Sequence, residues 1–188
     1  MRAKARKRRR RPSVRSVVLV LAALAIAGVL TSRVVRESRA QAALDDALVT
    51  SRIPGRTQET KRRFERLIED YRGSRAAWAA HGHLGELMAA NGRSAEARAL
   101  WRKLVEEGPD DLAADAEMSL ILLDREQGRL EELAERLESL VESGESALPE
   151  DVLLFELAQT LEQLGRHEEA GRIKRFEEVV PEEPRVRR

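Results

Sequence analysis

Polar and apolar positions are arranged in two distinct ways along the 188-residue chain. From Val17 to Leu30, fourteen consecutive residues carry no polar side chain, and nine of them are Val, Leu or Ile. Beyond Arg33 apolar residues recur at helical spacing in a background of Ala, Leu, Glu and Arg, all good helix formers. Alternating β-branched runs are missing, so no strand is predicted. The first amphipathic stretch, about 33–49, reads as a helix continuing out of the apolar run and broken at Ile53-Pro54-Gly55. A second helix over about 58–71 places Phe64, Leu67, Ile68 and Tyr71 on one stripe. Arg72-Gly73-Ser74 then turns the chain, with Ser74 as N-cap of the next helix.

From there helices are expected in pairs with a turn glycine inside each: Gly92, Gly128 and Gly165, at intervals of 36 and 37 residues. Glycine supplies the left-handed residue that ends one helix and lets its antiparallel partner begin. A period of this length in an all-α chain marks a helical repeat array. The clearest unit runs from Trp78 to Pro109, with Leu84-Gly85, Met88, Gly92, Ala97, Trp101 and Leu104 in order. Gly85 and Ala97 are small enough for two helices to approach closely, and Trp101 is expected to fill space against the next repeat. In the second unit Leu133, Leu137 and Leu140 follow Gly128 at core spacing. The preceding Leu120-Ile121-Leu122-Leu123 is apolar on every side, which leaves its register open. In the third, Leu154, Leu157, Ala158 and Leu161 lead into Gly165 and Ala170 follows. Residues 58–71 read as an unpaired second helix of a partial repeat.

The apolar run acquires meaning from its flanks. Met1–Arg15 holds nine Lys/Arg and no acid, while Arg33, Arg36 and Arg39 follow the run. The uncharged residues 16–32 number 17, about 25 Å as a helix, and the flanking arginines can snorkel to complete a span. The Val, Leu and Ile residues favour insertion by about 3–5 kcal/mol, and the excess of positives puts the N-terminus in the cytoplasm. A cleaved signal peptide with its site at Ala25-Ile26-Ala27 is the competing reading. The run continues past that site to Leu30 and the basic head is long, which favours a retained single-pass inner-membrane anchor. The block Lys4–Arg11 also has the composition of a nucleic-acid patch, or of a segment binding anionic lipid headgroups. Formal net charge is +1, so the remainder beyond Arg15 carries −8. An acidic body argues against a nucleic-acid-binding domain, because phosphate contacts need a positive face. With no cysteine, disulfides, thiolate metal sites, cysteine catalysis and a lipoprotein anchor are excluded. Arg outnumbers Lys and Ala is abundant, the usage of a GC-rich bacterial genome.

The unit Trp78–Pro109 resembles the tetratricopeptide repeat, with His81 where that family usually has Trp and Leu104 where it has Ala. Around Gly165 the match weakens at Phe176 and Pro181, which lie off the usual spacing. Over the whole chain, the basic head (1–15), one span (16–32), a helical juxtamembrane linker (33–57), repeats (58–181) and a short tail (182–188) resemble the YfgM-like ancillary subunits of the secretion translocon. The resemblance implies an α-solenoid in the periplasm that binds proteins, beside the translocon or with periplasmic chaperones. Its concave groove is lined in the family by four positions of each first helix. Carried onto this chain they are Ala79, Gly82, Glu86 and Ala89, then Asp115, Met118, Leu122 and Arg125, then Val152, Phe155, Gln159 and Glu162. The groove leans acidic and offers Met118, Leu122 and Phe155 to an extended or helical peptide. Alternatively these three are ordinary core.

No catalytic, cofactor or metal site is expected. His81 and His83 are two residues apart and point about 200° away from each other on a helix. His83 and Glu86 could make half a metal site, with no third ligand near in sequence. His81 reads as a packed histidine and His167 as a solvent-facing one. Carboxylates such as Glu131, Glu132 and Glu135, beside Arg136, read as a solvated, salt-bridged helix face. Gly82-His83-Leu84-Gly85 lacks the spacing of a phosphate loop.

Overall fold

A computed structural model describes the backbone of residues 14–179 and the side chains of residues 27–174 except Val29. The described chain is a succession of α-helices without strands: α1 (Val14–Ser51), α2 (Thr57–Asp70), α3 (Arg75–Ala90), α4 (Ser94–Glu107), α5 (Asp110–Glu126), α6 (Leu130–Ser143), α7 (Glu150–Gln163) and α8 (His167–Val179). The basic head up to Ser13 and the tail expected at 182–188 lie outside the described residues. Among the described residues no helix is long and apolar enough to cross a membrane. Most of the candidate span falls outside that description, since the side chains of residues 16–26 and Val29 are not part of it.

The turns repeat one device. Gly92, Gly128 and Gly165 take φ of +73°, +68° and +76°. After each, the next amide reaches back to a carbonyl of the preceding helix: Arg93 N to Met88 O at 2.9 Å, Arg129 N to Asp124 O at 3.0 Å, Arg166 N to Leu161 O at 2.8 Å. This is the Schellman closure that a left-handed glycine permits. The arginine following each glycine then pairs with a glutamate three residues on, at 2.5 Å for Arg93–Glu96, 3.9 Å for Arg129–Glu132 and 2.7 Å for Arg166–Glu169. The pattern Gly-Arg-x-x-Glu opens the second helix of every pair, with the glutamate in the first turn where the helix dipole favours it.

That pattern occurs once more. Gly55 has φ +81°, and Arg56 pairs with Glu59 at 3.1 Å. The helix α2 is therefore not the unpaired remnant expected from the sequence. Its partner is the C-terminal part of α1, whose Ala40, Leu44 and Ala47 are buried in one core with Phe64 and Leu67. Residues 33–57 are thus more than a linker, because the helical stretch 40–51 within them is the first helix of a fourth pair. Ser74 caps α3 as expected, its hydroxyl accepting from Ala77 N at 3.1 Å.

Two apolar cores hold the array. The larger joins α1–α5 and includes Leu84, Met88, Trp101, Leu104, Leu120 and Leu123. The smaller joins α6–α8 and takes only Ile121 from α5, packed with Leu133, Leu137, Leu153, Leu157 and Leu161. The all-apolar stretch of α5 is thereby explained: Leu120 and Leu123 face one core, Ile121 faces the other, and Leu122 is 47% exposed. α5 meets α6 over a much smaller stretch than α3 meets α4.

Charge fills the gap that this leaves. Asp124, 5% exposed, accepts from Arg98 Nη2 at 2.5 Å, Arg129 Nη2 at 2.7 Å and Arg136 Nη1 at 2.7 Å. Arg136 was expected on a solvated face with Glu131, Glu132 and Glu135; it turns inward because Asp124 offers a desolvated carboxylate that those exposed glutamates do not. Glu117, also buried, accepts from Ser146 Oγ at 2.7 Å and from Ala147 N at 3.1 Å, tying the α6–α7 connection to α5.

Candidate functional site: the face of the first helices

The first helices of the four pairs are α1, α3, α5 and α7, and two clefts open between neighbours among them. The cleft between α3 and α5 holds about 100 Å3. Ala79, Gly82 and Glu86 line it from α3 and Asp115 and Ser119 from α5, over a floor of Trp101 and Leu104. The indole of Trp101 does not reach outward to the next pair alone. It lies on the glycine side of α3, with Nε1 donating to Gly82 O at 3.3 Å. Gly85 is thus small for a reason: the ring occupies the place its side chain would take.

The second cleft, about 270 Å3, lies between α1 and α3 and is bounded by Leu48, Ser51, His83, Glu86, Leu87 and Ala90, with Phe64 of α2 behind them. His83 stacks on Phe64, ring centroids 6.0 Å apart, and its Nδ1 stands 3.1 Å from Glu86 Oε2. Glu86 therefore borders both clefts. His81 is buried instead: its Nδ1 contacts Ala77 O at 2.9 Å and its ring lies 5.2 Å from that of Trp78. Burial pushes the His81 pKa below the ordinary histidine value, with the backbone bond to Ala77 opposing.

Between α5 and α7 the arrangement differs. These helices are not packed along each other. Arg125 Nη2 reaches Glu156 Oε2 at 2.5 Å, so its guanidinium is tied to a nearly buried carboxylate and is not free to meet a ligand. Beside this bridge Leu122 is 47% and Phe155 49% exposed, and Met118, Val152 and Gln159 are half-buried. Leu122 and Phe155 are therefore not core residues. Glu162 is exposed and accepts from Lys174 Nζ at 2.7 Å, a bond that holds its carboxyl below the usual carboxylate range.

Of the twelve positions carried over from the repeat resemblance, Ala79, Gly82, Glu86 and Asp115 line a single cleft. Ala89 lies further along α3, half-buried, and lines neither cleft. Sequence reasoning missed Ser119, one turn after Asp115, and the α1 residues Leu48 and Ser51. The signal for the latter was the first Gly-Arg-x-x-Glu copy at Gly55. Among the described residues no group of three or more His, Asp or Glu is placed to hold a metal ion. Comparison of the sequence with protein-family models gives no match. A search of curated proteins gives none either.

Proposed function

We propose that this chain is a membrane-tethered helical-repeat adaptor that binds protein segments on the face of α1, α3, α5 and α7. The tether is the apolar stretch of residues 16–32, inserted with its basic head in the cytoplasm and the array in the bacterial periplasm. The array is tetratricopeptide-like and without enzymatic activity, and its partners belong to the secretion translocon or to the periplasmic chaperones. Tethering raises the effective concentration at membrane partners, so a weak groove suffices.

The observation that carries the reading is the pair Leu122 and Phe155. A large aliphatic and an aromatic side chain stand about half exposed on two first helices, beside an ion pair that bridges those helices. Apolar anchors with a polar rim are what a bound peptide uses. The neighbouring cleft adds Glu86 and Asp115, which suit a segment carrying positive charge.

The test is site-specific photocrosslinking in intact cells from Leu122 and Phe155, with Glu132 on the opposite helix of the second pair as control. Adducts with translocon or chaperone subunits from the first two positions alone would support the reading. Equal labelling from all three would overturn the groove. N-terminal sequencing of the mature chain tests the tether, because a start near Gly28 would mean cleavage and a soluble periplasmic array.

A further inference from the structure

In α1 the candidate tether and the first helix of the array are one continuous helix. Its geometry therefore decides how the array would stand over a bilayer. From residue 30 to residue 39 α1 is exposed throughout, and Leu30, Val34 and Val35 are apolar residues left 56%, 66% and 43% exposed. Arg36 and Glu37 tie this stretch to the α2–α3 turn. Arg36 Nη2 donates to Asp70 O at 3.5 Å and to Arg72 O at 3.3 Å, and Glu37 Oε1 accepts from Ala76 N at 3.4 Å. α2 runs back antiparallel to α1, since Arg63 pairs with Asp46 further along. The α2–α3 turn is thus hung on α1 only six residues, about 9 Å, beyond Leu30.

That end of the array is basic. Arg33, Arg39 and Arg72 are exposed and make no ion pair among the described residues, and Arg36 meets only carbonyls. Against these four arginines stand three carboxylates, Glu37, which accepts from the Ala76 amide, and the exposed Glu69 and Asp70, so the balance at this end is positive by one. The corresponding end of the next pair is acidic, with Asp110 and Asp111, the latter bonded to Arg75. The positive footprint is confined to the first pair, at the point where exposed Val34 and Val35 continue the apolar run.

We propose that the α2–α3 end of the array is seated on anionic phospholipid headgroups, with Val34 and Val35 at the interface and Arg33, Arg36, Arg39 and Arg72 on the phosphates. This rests on the tether reading above. The array then stands as one body with its anchor, first pair down, and presents its clefts at a fixed height over the membrane.

The chain has no cysteine, so single labels can be placed at will. The full chain is reconstituted in nanodiscs of phosphatidylcholine, with or without phosphatidylglycerol, containing a headgroup nitroxide lipid that quenches a fluorophore. Labels sit at Ala27→Cys on the tether, Glu69→Cys near the turn and Glu126→Cys at the far end of the array. The expected result is quenching at Ala27 in both discs, at Glu69 chiefly with phosphatidylglycerol, and at Glu126 in neither. Adding Arg39→Ala or Arg72→Ala should lower the seated population at Glu69 by roughly fivefold each. Quenching at Ala27 without any phosphatidylglycerol-dependent quenching at Glu69 would overturn the seating while leaving the tether intact. No quenching at Ala27 in either disc would overturn the tether, and the seating with it.

Discussion

Gly85 and Trp101 occupy one another's space. A Cβ built on Gly85 would lie 2.4 Å from the indole Nε1 and 2.8 Å from Cε2, while one built on Gly82 would meet only Leu104 Cδ2 at 3.6 Å. The ring is 5% exposed and pinned by its bond to Gly82 O, so it cannot swing aside. Gly85→Ala should therefore destabilise the chain by about 1–3 kcal/mol, the usual cost of overpacking. Gly82→Ala, in ordinary contact and inside a helix, should be neutral or stabilise by about 0.5–1 kcal/mol. Thermal unfolding followed by circular dichroism checks the pair, and a Gly85→Ala variant as stable as the parent would contradict the packing described.

Asp124 joins the two cores. Three guanidinium groups converge on its one buried carboxylate, and Arg136 Nη2 is left buried without a hydrogen-bond partner. Burial, opposed by Asp124, lowers the Arg136 pKa from its ordinary value. Removing this anion leaves Arg98 and Arg136 without an ion pair and Arg129 with only the exposed Glu132, so Asp124→Asn should cost roughly 3 kcal/mol. Replacing one cation of the surplus, as in Arg136→Leu, should cost far less. Both tryptophans, Trp78 and Trp101, pack in the larger core, so their fluorescence reports only α1–α5. In urea, Asp124→Asn should separate the fluorescence and far-ultraviolet dichroism transitions, with α6–α8 unfolding first. Coincident transitions in the variant would show that the charged seam does not couple the halves.

His81 predicts a mild acid sensitivity. The buried ring prefers the neutral state, with Lys103 adding to that preference and Glu107 opposing it. Below the ordinary value of 6.5 the unfolded chain takes up a proton at this position that the folded chain resists. Stability from this residue is complete above 6.5 and declines as pH falls from there toward the lowered folded value. His81→Phe keeps an aromatic ring beside Trp78 and removes the proton. The difference in melting temperature between parent and variant should therefore change in favour of the variant as pH is lowered through that interval. A difference independent of pH would rule out a buried neutral histidine.

Most of the helices were legible in the sequence because their turns are punctuated by glycine and their apolar residues keep helical spacing. The fourth pair was not, although Gly55-Arg56-Thr57-Gln58-Glu59 carries the same opening as the other three. Pro54 reads as a break and the apolar run as a tether, and the exposed, charge-bearing residues 33–39 of the same helix hide the stripe of Ala40, Leu44 and Ala47 that follows them. The seam around Asp124 was illegible for a different reason. Arg98, Arg129 and Arg136 come from three places in sequence, and only tertiary packing decides whether a helix-borne arginine faces water or a buried carboxylate. The clefts were half legible: Glu86 and Asp115 followed from repeat register, while the tie of Arg125 to Glu156 depends on how α5 is rotated.

That rotation can be tested by two adjacent residues. Leu120-Ile121-Leu122-Leu123 would satisfy a core in any register, yet the structure buries Ile121 completely and leaves Leu122 about half in solvent. Ile121 is also the sole contribution of α5 to the core of α6–α8, so its truncation removes both packing and the apolar link between the two halves. Ile121→Ala should cost about 2–5 kcal/mol, and Leu122→Ala should stay within roughly 0.5 kcal/mol of the parent. A helix turned by one residue, about 100°, would reverse the two results. Leu122→Asp then separates stability from binding. It should leave the melting temperature nearly unchanged, because the position already faces water, and on the proposed reading it should weaken photocrosslinking from Phe155, because a charge on the adjoining first helix removes one of the two apolar anchors. Loss of the fold in Leu122→Asp would place Leu122 in the core and remove it from the proposed binding face.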